Sequence, residues 1–309
     1  MIVITGASGN VGVELTRLLL KQQDVSALRI AAYDVAEIKR LCGEDGPYVQ
    51  FDYDDRATWP AVLADIKTLY LLFPLPSPKT AETRMKPFMD AAKQAGCKHI
   101  VFVSVGGAKD KKFVPHHPVE QHLKSLGVDY TILRPCYYMQ NLCRNITTHD
   151  YDIAVYNELF IPAGDGVTAL IDARDVAAFT AAVLTNPAAH KNTDYVLTGT
   201  EQKNFQEIAA VISQVSGRTI KYSNPSLPRF IYRMLRRRIP WDVVAFMCLF
   251  YSIIRFGKAE HLTDVVQKQL GREPILLKQF IEDYRVYWQP ESHVALPVIP
   301  DWAGGPKRD

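Results

Sequence analysis

The chain has 309 residues, 48% of them hydrophobic and 22% charged, enough to bury one large core or two smaller ones and unlike a disordered chain. Its 36 Lys and Arg against 33 Asp and Glu leave a formal charge of +3, too small and too dispersed to point to direct nucleic-acid binding. Cys42, Cys97, Cys136, Cys143 and Cys248 show no CxxC or paired-ligand spacing, which fits free thiols in a reducing compartment.

In chain order, "MIVITGA" is an apolar run ending in glycine and reads as a strand with no cleavable leader before it, so a cytoplasmic location is expected. From Val11 to Gln22 the apolar residues Val13, Leu15, Leu18 and Leu19 recur at helical spacing. "LRIAAYD", "VQFDYDD", "TLYLLFPLP", "KHIVFVSV" and "VDYTILRP" give five further strands, with helices around Trp59–Ile66, Thr80–Ala95 and Val119–Leu126. Strands that are apolar throughout and separated by helices imply a parallel sheet covered on both faces.

After Pro135 the rhythm changes. "RDVAAFTAAVL" and "FQEIAAVISQVSG" read as helices opening near Asp172 and Asn204, and "TDYVLTG" and "RTIKYS" as strands that extend the sheet or pair locally. Asp172 and Asp175 are assigned a structural place at a helix N-terminus. From Pro225 to Trp288 the pattern is mostly helical, and a Pro-rich extended tail is expected from Gln289. "VVAFMCLFYSII" (Val243–Ile254) is shorter than the ~20 residues of a spanning helix and is flanked by Asp242 and Arg255, so no membrane span is expected.

"TGASGNVG" places Gly6, Gly9 and Gly12 between the first strand and the first helix. Glycines there permit a tight turn, a close approach to a pyrophosphate and close helix packing, while the helix N-terminus offers N–H donors. The loop residues Gly6, Ala7, Ser8, Gly9, Asn10, Val11 and Gly12 are therefore assigned to cofactor binding. The fold expected is a doubly wound parallel α/β sheet of Rossmann type with a smaller, mainly helical C-terminal lobe. The domains follow as a dinucleotide-binding domain over 1–150 with its sheet completed by later strands, a smaller substrate or partner lobe over 151–288, and the tail over 289–309.

The GxxGxxG spacing resembles the short-chain dehydrogenase/reductase superfamily. "SVGGA", "LGVDYTILRPCYYMQN", "LIDARDVAAFTAAVL", "YVLTGTEQKNFQEIAAVIS" and "LTDVVQKQLGREPILLKQFIEDY" resemble the NmrA-like group of atypical reductases over roughly residues 1–288. That group includes quinone and dye reductases as well as redox-sensing proteins without known catalysis. The resemblance makes Asp52 and Tyr53 candidates for adenine contact, and Phe73 and Pro74 border the cofactor where ligands gather at strand ends.

For the ribose, Tyr33 stands where many members of the group carry an arginine. Asp34 suits NAD, while Lys39 and Arg40 offer a partner for a phosphate. The cofactor expected is NADP or NAD, with NADP favoured by the resemblance alone.

Hydride transfer to a carbonyl leaves charge on oxygen and calls for a nearby donor. Ser104 matches the superfamily's catalytic serine, but its Tyr-x-x-x-Lys frame falls on Lys112-x-x-x-His116, without the tyrosine. His116 then occupies the lysine position, to hydrogen-bond the nicotinamide ribose or donate a proton near pH 7. Ser104 and His116 are accordingly the catalytic candidates and also line the cofactor. Pro135, Cys136, Tyr137 and Asn141 resemble the segment at the nicotinamide end, which makes Cys136, Tyr137 and Asn141 substrate candidates.

"VPHHPVEQHL" (114–123) invites a metal reading, but Pro118 separates His116 from Glu120 and no HExxH pattern is present, so no metal is expected. His117 reads as a loop residue, His122 as an exposed helix residue and Glu120 as a helix-dipole partner. Arg233, Arg236, Arg237 and Arg238 precede the bulky apolar helix. Three readings fit them: a lid over a cleft lined by Trp241, Phe246 and Tyr251, a partner or membrane-surface patch, or a solvated approach to a core helix.

The function expected is an NAD(P)H-dependent oxidoreductase of NmrA-like type, passing hydride to a quinone, dye or other flat carbonyl compound as a monomer or homodimer. The alternative is a non-catalytic redox sensor with a regulatory protein partner. An isomerase reading is disfavoured, because extended-family epimerases use the missing tyrosine.

Overall fold

The computed structural model describes residues 1–290 except 23, 75–77, 144–147 and 260; most of the expected tail, from residue 291 onward, lies outside the described residues. The chain forms two compact units, one of Met1–Pro135, Ala173–Leu197 and Lys268–Gly271, the other of Cys136–Asp172, Thr198–Gln267 and the segment from Arg272 onward. The contiguous division at residue 150 gives way to one in which the chain leaves the first unit after Pro135 and returns at Ala173. The return adds a strand to the sheet, so "TDYVLTG" is the strand that completes it.

The first unit is built on β1 (Ile2–Ile4), α1 (Asn10–Gln22), β2 (Leu28–Ala32), α2 (Val35–Cys42), β3 (Tyr48–Gln50), α3 (Trp59–Leu63), β4 (Thr68–Leu72), α4 (Lys86–Gln94), β5 (His99–Val103), α5 (His117–Ser125), β6 (Asp129–Pro135), α6 (Ala173–Thr185) and β7 (Thr193–Leu197). Its sheet has the order β7-β6-β5-β4-β1-β2-β3, every pairing parallel. All five residues of β5 are buried, as a strand covered on both faces requires. On one face Val62, Phe88, Met89, Val119 and Leu123 pack against Leu69, Leu71, Ile100 and Phe102. Elsewhere in this unit α1 packs against α6.

Helix α2 was not marked by apolar periodicity, because only Ile38 is buried along it. Its signal is the Asp34-Val-Ala-Glu37 spacing: the Asp34 carboxylate accepts the Glu37 N–H at 2.9 Å and caps the helix.

In the second unit Thr168–Ile171 is the middle strand of three, antiparallel to Gln202–Lys203 and parallel to Tyr137–Tyr138. Lys221–Tyr222, from the "RTIKYS" segment, pairs with Glu158–Leu159. Helix Phe205–Ser216 opens on a capping box, with Asn204 Oδ1 accepting the Glu207 N–H at 2.9 Å and the Glu207 carboxylate accepting the Asn204 N–H at 2.8 Å. Among the described residues no helix is long and apolar enough to cross a membrane. None of the five cysteines is in a disulfide.

Candidate functional site

Because β1 to β5 run parallel, the loops after them meet at one edge of the sheet, and the order β4-β1-β2 places the topological switch point between β1 and β4. Gly6, just after β1, has φ +61°, and a Cβ there would stand 2.6 Å from the Leu72 side chain of β4. A Cβ on Gly12 would stand 2.1 Å from the Gly6 carbonyl oxygen, so only glycine lets α1 lie this close to the turn. The Gly9 N–H donates to Gly6 O at 3.0 Å and the Val13 N–H to Gly9 O at 3.0 Å. Donors ahead of Val13 in the first turn have no carbonyl within the helix, which makes this end of α1 an anion cradle. The Ala7 and Val11 side chains are buried, so these two residues can offer a ligand only backbone.

Beside the loop, across the carboxyl ends of β2 and β3, lies a groove of about 530 Å³ lined by Tyr33, Asp34, Gln50, Asp52, Asp55 and Thr58, among others. Tyr33 is 53% exposed, and its carbonyl accepts from Gln50 Nε2 at 2.7 Å. Asp52 Oδ1 accepts the Asp54 N–H at 2.8 Å, while the Asp52 carbonyl accepts from Trp59 Nε1 at 3.0 Å. Tyr53, a candidate for adenine contact, has its ring 4.6 Å from Phe51 and 5.4 Å from Phe88, and its hydroxyl donates to Leu72 O at 3.3 Å. Burial pushes that phenol up. Tyr53 is half-buried and packs against the core, and Asp52 alone of the pair lines the groove. Lys39, offered for a phosphate, pairs with Glu44 at 3.8 Å, and neither it nor Arg40 lines the groove. Gln50, Asp55 and Thr58 were missed; Asp55 had a legible signal, since an Asp two residues before Ala57 accepts its N–H at 3.0 Å in an Asx turn.

The two catalytic candidates stand close to the ends of β4 and β5. Ser104 is buried, and its hydroxyl donates to Glu120 Oε1 at 2.5 Å. Glu120 is fully buried and gripped by both arms of Arg134, at 2.8 and 2.6 Å. Arg134 also reaches Asp194 at 2.9 Å, and Lys124 reaches the same carboxylate at 2.8 Å. Glu120 is therefore no solvated partner of the helix dipole, and the Ser104 hydroxyl is committed to it.

His116 is 4% exposed, with its ring edge-on to Phe73 at 4.5 Å and 6.2 Å from Phe102. Burial among these rings lowers its pKa to about 3, so the imidazole is neutral near pH 7, which suits hydrogen bonding to a ribose better than donation from an imidazolium. Phe73 is buried with it and Pro74 is half-buried. The other members of the histidine cluster take separate partners: His117 Nδ1 donates to Ala108 O at 2.8 Å, and His122 Nε2 meets Asp90 Oδ1 at 2.8 Å rather than standing free.

Cys136, Tyr137 and Asn141 belong to the second unit. Cys136 and Tyr137 are buried and Asn141 is half-buried. The Tyr137 ring sits 5.5 Å from Phe205 and 6.0 Å from Phe250, and burial raises its phenol well above the ordinary range. In the same unit Gln140 Nε2 donates to Asp172 Oδ1 at 2.8 Å, while Asp175 is buried in the first turn of α6 in the first unit.

The arginine run divides. Arg237 holds the buried Asp152 at 2.6 and 2.9 Å and Thr148 Oγ1 at 2.7 Å. Arg233 reaches Asp152 at 3.1 Å and Glu158 at 2.6 Å. Only Arg236 and Arg238 are exposed, which removes the fully solvated approach. Trp241 is 61% exposed and Tyr251 is 2% exposed, its hydroxyl 2.7 Å from His149 Nε2, so the two do not line a common cleft. The inward arginines had a legible signal, because an i,i+4 spacing places both on one helix face; their carboxylate partner had none.

The NmrA-like family model matches residues 1–271. The chain is 28% identical over 289 residues to the NAD(P)H azoreductase of Xenophilus azovorans, covering 91% of this chain and 96% of the azoreductase. Among solved structures it aligns with the NADPH complex of the NADPH-dependent quinone oxidoreductase from Escherichia coli at TM-score 0.79 and 25% identity, covering 92% of this chain and 99% of the other. With the NADP(H) complex of the triphenylmethane reductase from Citrobacter sp. the TM-score is 0.80 at 22% identity, over 92% and 100% of the two chains, a likeness of fold. A doubly wound parallel sheet, a glycine cradle at its switch point and a family match over 271 of 309 residues agree: the chain belongs to the NmrA-like family.

Proposed function

We propose that this protein is an NAD(P)H-dependent reductase that passes hydride to a quinone, a dye or another flat carbonyl compound. The observation that carries the reading is a dinucleotide cradle accompanied by a Ser104 hydroxyl that donates to Glu120 and a His116 imidazole held neutral near pH 7. When bound, the dinucleotide supplies the hydride. Gly6 to Gly12 and the first turn of α1 hold its pyrophosphate, and the groove beside them receives the adenosine half. Phe73 and His116 form an apolar wall that excludes water, and the neutral imidazole can hydrogen-bond a ribose hydroxyl without carrying charge.

Reduction of a simple aldehyde builds localised charge on one oxygen and slows without an acid. Quinones and cationic or azo dyes spread the added electrons over a conjugated system and need less acid catalysis. The azoreductase and the quinone oxidoreductase among the relatives act on acceptors of this kind by name.

The test is turnover of purified protein with NADH and NADPH, followed by loss of nicotinamide absorbance, across quinones, azo and triphenylmethane dyes and aliphatic aldehydes. Quinones or dyes are expected to turn over and aldehydes to react at least about tenfold more slowly, the lower end of what a positioned acid usually contributes being larger still. Aldehydes reduced as fast as quinones, or no turnover of any acceptor, would sink the reading.

A further inference from the structure

The arginine-rich stretch of the second unit has an outward half. On the helix Leu227–Arg236, Phe230 and Met234 are buried, and Arg233 and Arg237, one turn apart, are neutralised by Asp152 and Glu158. With about 3.6 residues per turn, the opposite arc of the helix holds Pro228, Arg229, Tyr232, Leu235 and Arg236, all of them exposed. Arg238 and Trp241 follow within a few residues and are exposed as well, with Tyr232 at 64% and Trp241 at 61%. Among the described residues no carboxylate pairs with Arg229, Arg236 or Arg238. Asp242, whose Oδ1 accepts the Val243 N–H at 3.0 Å, is the only acidic residue from Pro225 to Lys258. This one stretch therefore presents as much unpaired positive charge as the net +3 of the whole chain.

Arg238 adds an independent observation. Its φ is +60°, and it stands where the helix ends: the Ile239 N–H donates to Met234 O at 3.1 Å and the Arg238 N–H to Leu235 O at 2.9 Å, the paired bonds of a Schellman motif. That left-handed position favours glycine, so a side chain there works against the fold. An exposed arginine without a carboxylate partner returns nothing to the fold in exchange, and its guanidinium is available to something outside the chain.

We infer that this surface seats the protein on an anionic phospholipid bilayer, with the guanidinia of Arg229, Arg236 and Arg238 at the phosphates and Tyr232, Leu235 and Trp241 at head-group depth. The planar fork of arginine matches phosphate oxygens, and tyrosine and tryptophan rings favour the boundary where one end is apolar and the other wet. A partner helix would ask for a continuous apolar stripe on this helix, and that stripe, Phe230 and Met234, is buried within the protein. A bilayer asks only for clustered positive charge and scattered rings, which is what the outward arc supplies. The seat is peripheral, resting at the lipid surface.

The test is co-sedimentation of the full chain with vesicles of phosphatidylcholine alone and of equal parts phosphatidylcholine and phosphatidylglycerol, at low and at high salt, with soluble poly-glutamate as the competing ligand. An arginine at an anionic surface changes partitioning about fivefold, so three of them are expected to favour the mixed vesicles about a hundredfold. High salt is expected to shrink that preference. Arg238→Gly is expected to weaken binding to the mixed vesicles about fivefold without lowering the melting temperature, because glycine suits the left-handed position. Arg236→Gln, an exposed exchange between two good helix formers, is expected to weaken it by a similar factor and serves as the second variant should the first not fold. Tryptophan emission is expected to shift to the blue on the mixed vesicles, and the shift to be lost in Trp241→Phe. Equal binding to both kinds of vesicle, or binding unmoved by both arginine substitutions, overturns the inference. Binding of poly-glutamate without binding of the mixed vesicles also overturns it and points to an acidic protein segment as the occupant.

Discussion

His116 shows how burial, rather than residue type, sets a side chain's chemistry. A histidine at a lysine position suggests an acid or base active near pH 7, and the residue itself was legible in the sequence. Its environment was not, because Phe73, just past β4, and Phe102, in β5, reach it from distant parts of the chain. With a native pKa of about 3 against about 6.5 unfolded, the unfolded chain takes up a proton that the native state refuses. The stability gained by keeping it neutral is therefore full above pH 6.5 and declines as pH falls from 6.5 toward 3, by about 1.4 kcal/mol per pH unit. Replacing His116 by glutamine should narrow the loss of stability between pH 7 and pH 5 by about 2 kcal/mol in urea melts. An unchanged difference would mean that the imidazole is not held neutral. His149 in the second unit, buried and likewise lowered to about 3 with Arg237 adding to the effect, keeps its own share in that variant.

The links between elements show most clearly in the chain from Ser104 through Glu120, Arg134 and Asp194 to Lys124, which ties the end of β5 to α5, β6 and β7. Glu120 read as an ordinary acidic residue near a helix start because its partners lie 14 and 16 positions away, beyond any helical spacing. Truncating it takes both oxygens of its main carboxylate partner from a guanidinium that is 3% exposed, and leaves it only the single contact with Asp194 at 2.9 Å. Glu120→Ala should cost about 3–5 kcal/mol of stability, the usual penalty for breaking a buried pair by removing one partner. Chemical denaturation would measure it, and a cost under about 1 kcal/mol, the range of surface pairs, would show that water reaches Arg134. The same logic governs the second unit, where two arginines one turn apart close on Asp152.

Across the whole molecule, a cradle and groove confined to the first unit make a definite prediction for ligand linkage. A dinucleotide at about one hundred times its dissociation constant should stabilise the state that binds it by about 2.7 kcal/mol. Hydrogen exchange should slow most at residues 6–13, 33–38 and 50–58; no added protection at 6–13 would remove the glycine loop as the pyrophosphate site. Those segments were largely legible, since a strand, three spaced glycines and an amphipathic helix are local patterns that follow from backbone sterics and 3.6-residue periodicity. Local pattern also gave the parallel sheet, through strands apolar on both faces. Tertiary structure alone decided that the chain leaves the first unit after Pro135 and returns at Ala173, and that Tyr53 packs half-buried against the core while Asp52 lines the groove. It alone decided that the Ser104 hydroxyl donates to Glu120 and that His116 is buried against Phe73. Each of these rests on contacts between residues far apart in the chain, and burial and charge pairing, which set pKa and hydrogen-bond commitment, exist only once such residues have been brought together.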